Sequence, residues 1–189
     1  RNSAFGLRQQ GLPKAEIARL TGLSAQTVSV IVRQLETDQL LIKETPQRGK
    51  VGQPSVPLSL NPDGAFAIGI KVGRRSLDTL LVDFTGKARQ RHTLDYRHAD
   101  PDEVLAEIAQ RLKDIRRKLT PEQRERVQGV GLAAPLSMGG WQQLLGVPAR
   151  TADKWQRIDL QAEVAARTEL PVTLVKDTAA ACIAELVAG

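Results

Sequence analysis

The sequence has 189 residues, 41% hydrophobic and 3% aromatic, with 27 Lys/Arg against 21 Asp/Glu and a net charge of +6. That is enough apolar material for a packed, aliphatic core in one large domain or a small and a medium one, and too few aromatics for base stacking on single strands to be the main activity. No apolar run could span a membrane, no signal peptide is visible, and the lone Cys182 allows no disulfide within the chain, so a reducing, cytoplasmic setting is expected.

The charge is uneven. Residues 1–60 hold eight Lys/Arg and four Asp/Glu, leaving nineteen and seventeen to the rest. An excess in the first third suits a DNA-binding head on a near-neutral body, although a segment of that charge is also simply soluble. The chain opens at Arg1, and residues before it are expected.

Asn2 to Gln10 is predicted as a first helix, with Phe5 inward. Lys14 to Leu20 is a second, with Pro13 at its first turn, where a missing N–H costs nothing. Gly22 suits the left-handed residue that ends a helix. Ser24 reads as the N-cap of a third helix. There Val28, Ile31, Val32 and Leu35 form one apolar face, Gln26, Val30 and Arg33 point the other way, and Ser29 lies at the border. Helix, glycine turn and helix make a helix-turn-helix whose second helix would enter the DNA major groove, with Gln26, Thr27 and Ser29 as base-edge candidates and Arg33 as a phosphate candidate. The plain alternative is an αα-hairpin within a larger core.

After the apolar run Leu40–Ile42 comes a basic, glycine-rich stretch from Pro46 to Pro54, then a returning strand at Val56–Leu60 and a turn at Asn61–Gly64. Strand, basic tip and strand are the pattern of a wing. Arg48, Lys50 and Gln53 could reach phosphates or the minor groove, or decorate a solvated hairpin. The first domain is expected over 1–62 and the second over 63–189.

In the second domain, strands are expected at 65–72, 77–84 and 88–97, with a hairpin turn at Thr85-Gly86-Lys87. Pro101 to Leu119 is an amphipathic helix with Val104, Leu105, Ile108, Leu112 and Ile115 on one face. Its acidic start and basic end complement the helix dipole. Pro121 to Arg126 reads as a charged turn, Val127 to Ala134 as a buried strand, and 136–157 as a long loop in which Trp141 and Trp155 could line a pocket. Asp159 to Thr168 is a helix, Val172 to Val175 a parallel-type strand, and Asp177 to Val187 an alanine-rich helix. The order gives an α/β domain with a mixed sheet and helices packed on it. His92 and His98 lack partners at ligand spacing, so no metal is expected in this chain. Cys182 reads as a small core residue, and Ser137 lacks a nucleophile-elbow context.

The head KAEIARLTGLSAQTVSVIVRQLE, the wing GKVGQPSVPLSLNP and the segment VKDTAAACIAE at 175–185 together resemble the ROK family of sugar-responsive repressors and sugar kinases. The resemblance implies a winged helix-turn-helix followed by an actin-like (ribonuclease H-like) body, of which this chain would hold the first lobe. The second lobe, with a His/Cys-rich segment that could hold a structural zinc, would lie beyond it. It also separates repressor from kinase. ROK kinases hold metal and phosphate with an aspartate and a Gly-Gly-Thr turn after the first strand. Here that place reads Lys71-Val72-Gly73-Arg74-Arg75-Ser76, so no catalytic residue is expected. Asp177 matches the family's catalytic aspartate, and Ala134 and Pro135 fall in the segment beside its sugar cleft. Lys176 and Ala179 stand where sugar-binding asparagines are expected. Asp177 is equally an ordinary helix cap.

The resulting expectation is a cytoplasmic, homodimeric transcriptional regulator, most simply a repressor of carbohydrate genes. It would bind a pseudo-palindromic operator through Ser24, Gln26, Thr27, Ser29, Arg33, Arg48, Lys50 and Gln53. A sugar-like effector would sit near Ala134, Pro135, Lys176 and Asp177. The rival is a sugar kinase with a DNA-binding head.

Overall fold

The computed structural model describes residues 11–46, 56–135 and 148–188, with side chains as far as Cys182. The expected first helix, the basic tip with Arg48, Lys50 and Gln53, and the stretch holding Ser137 and Trp141 lie outside the described residues. The chain divides into two compact units, Arg1–Ala65 with Asp83–Gly86, and Phe66–Val82 with Lys87–Gly189.

In the first unit, α1 (Lys14–Thr21) ends at Gly22, whose φ of 70° is the left-handed conformation a glycine adopts without penalty. Next, α2 (Ala25–Thr37) starts at Ser24, whose Oγ accepts the Thr27 N–H at 3.1 Å. Strands β1 (Leu41–Lys43) and β2 (Leu58–Leu60) pair antiparallel, Leu41 facing Leu60. Leu12 adds a bridge to Leu58, with N–H···O bonds of 2.9 Å in both directions. Val28, Val32 and Leu58 are buried, with Ile17, Ala18 and Leu41 packed against them. The apolar face of α2 is narrower than its sequence suggests: Ile31 stays 44% exposed, because the packing partners gather around Val28 and Val32.

The second unit is built on a sheet of order β5-β4-β3-β6-β7. Its strands are β3 (Phe66–Val72), β4 (Ser76–Asp83), β5 (Ala88–Asp95), β6 (Val127–Ala134) and β7 (Val172–Lys176). β4 and β5 are antiparallel, joined by a turn in which Gly86 takes φ 84°. β3 pairs parallel with β6, and β6 with β7. Phe66, Ile68, Ile70 and Val72 alternate into the core with Val130 and Leu132. Helix α3 (Pro101–Lys118) covers them with Val104, Leu105, Ile108, Leu112 and Ile115, the face its periodicity predicts.

Three local expectations need correcting. Pro121–Glu125 is a short helix, α4, rather than a turn. Thr120 and Gln123 close a capping box over it, and the bond from its own backbone N–H, with the Thr120 hydroxyl, lowers the pKa of Glu122. Part of the supposed long loop is also a helix, α5 (Ala149–Gln156). Only Ala152 and Trp155 face inward from it, too sparse a stripe to announce a helix. Trp155 is therefore not a pocket wall. It is buried, and its Nε1 donates to the Ala99 carbonyl at 2.7 Å. Lys154 donates to Asp102 at 2.5 Å and lies 3.5 Å from Asp100, which ties α5 to the start of α3. Those carboxylates raise its pKa, the bond to Asp102 foremost.

Helix α6 (Leu160–Ala165) is capped by Asp159, whose Oδ1 accepts the Ala162 N–H at 3.0 Å, and α7 (Asp177–Ala188) follows β7 directly. The third correction concerns Cys182, which is exposed and not a core residue.

Candidate functional site

Two groups of residues come together, one on each unit. The first is the outward face of α2. Helical spacing puts Gln26, Val30 and Arg33 on one face, opposite the buried Val28 and Val32. All three are exposed, and Gln26 and Arg33 make no side-chain bond among the described residues. The neighbouring charges are engaged. Arg19 forks onto Glu16, with Nε to Oε2 at 3.0 Å, which raises the pKa of Arg19 and lowers that of Glu16. Lys43 meets Glu36 at 3.0 Å, and Gln34 donates to Asp38 at 2.9 Å. A cation and an amide left unpaired on one helix face are free to bond to something else.

Ser24 and Thr27 are exposed on the first turn of α2, with their hydroxyl oxygens 2.9 Å apart. Ser24 is thus the cap, and Thr27 turns toward it. Ser29 is half-buried at the border, as its position in the helical repeat predicts.

The second group lies where the parallel strands of the body end. Register sets Lys71 of β3 beside Ala133 of β6, and Ala134 beside Lys176 of β7. Ala134, Pro135, Lys176 and Asp177 therefore share one sheet edge with Lys71. In open α/β sheets the carboxyl ends of the strands are where ligands bind. Asp177 is half-buried, and its Oδ1 accepts the Thr178 N–H at 2.7 Å. Its carboxylate faces the N-terminal turn of α7, a placement that suits both a helix-start anion and a ligand acceptor. Lys176 is exposed and unbonded among the described residues.

The turn after β3 is closed by its own chain. Gly73 donates its N–H to the Ser76 carbonyl at 2.8 Å, and the Tyr96 hydroxyl lies 2.8 Å from both the Gly73 and Ser76 carbonyls. Arg75 reaches the Arg97 carbonyl at 3.3 Å. Burial first, and the nearby Asp78 second, push the Tyr96 hydroxyl pKa above the phenolic range. Nothing in the sequence marked Tyr96 for this task, because its partners are backbone carbonyls about twenty residues away.

Among the described residues no cluster of three His, Cys, Asp or Glu side chains could hold a metal ion. His92 faces Glu107 of α3, Nε2 to Oε1 at 3.0 Å, a pairing that sequence spacing hid. No described helix is long and apolar enough to cross a membrane.

Comparison with known proteins adds three relatives. The xylose repressors of Bacillus subtilis (strain 168) and Bacillus spizizenii are 24% and 25% identical over 97% of this chain, and 47% of each repressor is matched. A crystal structure of a ROK family transcriptional regulator, a homolog of the E. coli MLC protein, aligns over 94% of this chain and 44% of its own, at 23% identity and a TM-score of 0.57, and so shares the fold. The chain spans less than half the length of the curated relatives it matches. The family model described as ROK family matches residues 67–189, which make up most of the body. With a mixed sheet, covering helices and that match, the chain belongs to the ROK family.

Proposed function

We propose that this chain is the DNA-binding head and first body lobe of a transcriptional regulator, a repressor of carbohydrate genes that responds to a sugar or sugar derivative. The observation that carries the reading is the outward face of α2, where Gln26 and Arg33 stand exposed and unbonded beside the capped N-terminus at Ser24. A helix presented in this way after a glycine turn is the reading element of a helix-turn-helix, and β1 and β2 are the strands of its wing. Gln26, Thr27 and Ser29 then face base edges, with Ser24 holding the first turn. Arg33, with Arg48, Lys50 and Gln53 of the wing, contacts phosphates or the minor groove. Similarity to two xylose repressors supports both DNA as the partner and a sugar as the effector. The effector binds at the strand-end edge, against Ala134, Pro135, Lys176 and Asp177. The regulator works in the cytoplasm as a homodimer on a pseudo-palindromic operator. Any structural zinc would use donors outside this chain.

The body acts as a sensor and not as a kinase. Lys71 puts a cation where metal-bound phosphates would need a carboxylate, and the Gly73 N–H is spent on Ser76. Magnesium-dependent consumption of ATP in the presence of sugars would overturn this part.

The test is a fluorescence-anisotropy titration of the full-length protein against its own upstream DNA and a scrambled duplex, at two salt concentrations. Tight binding to the first duplex alone is expected. Arg33→Ala should weaken binding to every sequence and lower the salt slope by about one unit. Equal, weak and salt-driven binding to both duplexes would sink the reading.

A further inference from the structure

The outward face of α2 holds a side chain that neither the helix nor the core requires. Val30 is 65% exposed, the most exposed of the large hydrophobic residues described. It lies four residues after Gln26 and three before Arg33, opposite the buried Val28 and Val32. A β-branched residue is a poorer helix former than alanine, so helix stability does not select it. Its side chain packs into neither hydrophobic cluster. An apolar group held between an unpaired amide and an unpaired guanidinium fits a surface that is itself mostly polar, with one apolar feature.

The floor of the DNA major groove is such a surface. The thymine C5-methyl is the apolar group displayed there among hydrogen-bond donors and acceptors. We propose that Val30 packs on a thymine methyl and makes that thymine a preferred base of each half-site, next to the base pair read by Gln26. The inference rests on the DNA-binding reading above and deepens it. Val30 lies one helical turn from Gln26, roughly 6 Å along the axis, so the two side chains address neighbouring base pairs. Gln26 can pair bidentately with adenine, Val30 covers a methyl, and Arg33 anchors the backbone, which together favour an A·T-rich half-site.

The experiment uses the full-length protein. A preferred half-site is selected from a pool of duplexes with a randomised centre. Each thymine in it is then replaced in turn by deoxyuridine, which pairs identically and lacks only the methyl. One position should weaken wild-type binding about three- to fivefold, as expected for losing the burial of one methyl. Val30→Ala should weaken binding to the thymine duplex by a similar factor and be indifferent to the swap, so that the double change adds nothing. Alanine favours the helix and Val30 is exposed, so an unchanged thermal transition will separate this effect from misfolding. The inference is overturned if no thymine position responds, or if the penalty persists undiminished in Val30→Ala. Should selection yield no preferred sequence at all, the DNA-binding reading itself falls. A preferred sequence without a methyl effect removes only the role of Val30.

Discussion

Among the described residues the head buries Val28, Val32 and Leu58, whereas the body buries a continuous core from Phe66 to Val164 that joins five strands to their covering helices. The head adds local backbone devices, the left-handed Gly22 and the Ser24 cap, to the Leu12–Leu58 bridge that ties its ends together. The body depends on contacts between distant segments. In the head one helix face is presented outward, opposite the buried Val28 and Val32. The body, in contrast, keeps its candidate residues at a strand edge, where a rigid sheet sets their spacing.

That contrast can be broken most forcefully in the body. Ile108 is fully buried under the sheet, so Ile108→Ala should cost about 2–5 kcal/mol, read from urea unfolding of the body. A loss below about 1 kcal/mol would mean that the core relaxes freely and is not the continuous unit described. The next effect belongs to the head. Val32→Ala removes most of one buried side chain of the cluster described in the head and should cost up to about 1.5–3 kcal/mol, lowering DNA affinity while leaving the body's unfolding unchanged. Equal destabilisation of both units would erase the distinction between them. Smaller again, Ser24→Ala should cost about 1 kcal/mol through the lost bond to the Thr27 N–H, with Ser24→Asp close to wild type. If aspartate fails to restore the loss, the cap is not the cause.

The mildest handle is alkaline pH. The folded state holds the Tyr96 hydroxyl pKa above its unfolded value of about 10. Its contribution is therefore complete below that pH and is lost as pH rises beyond it, since the unfolded chain gives up the proton first. The melting temperature of Tyr96→Phe should fall less steeply above pH 10 than that of wild type. Parallel curves would show that Tyr96 ionises as easily folded as unfolded.

Regular periodicity made most of the elements legible. The alternation of 66–72 and the stripe from Val104 to Ile115 predicted strand and helix because each has one buried side. Glycine and serine marked the turn and cap of the head through simple stereochemistry. What stayed hidden depended on partners elsewhere. α5 has too few apolar residues to show a stripe, and it is held by Lys154 reaching back to Asp102 and by Trp155 reaching Ala99. The capping box at Thr120 was readable in principle, but five residues give no repeat to count. The same holds for the candidate sites. The faces of Gln26 and Arg33 follow from helical spacing alone, whereas the closure of the β3–β4 turn by Tyr96 needed the register of β4 on β5.

The parallel pairing of β3 with β6 also orders events in time. Phe66 must wait for Val127, so two α-helices and two further strands leave the ribosome before that ladder can close. The β1–β2 pairing and the Leu12–Leu58 bridge of the head need no residue beyond Leu60. During synthesis the head can be complete while β3 still lacks β6. In that interval Ile68 and Ile70 are uncovered strand residues. A nascent body, rather than a nascent head, is the species that a chaperone would have most reason to hold.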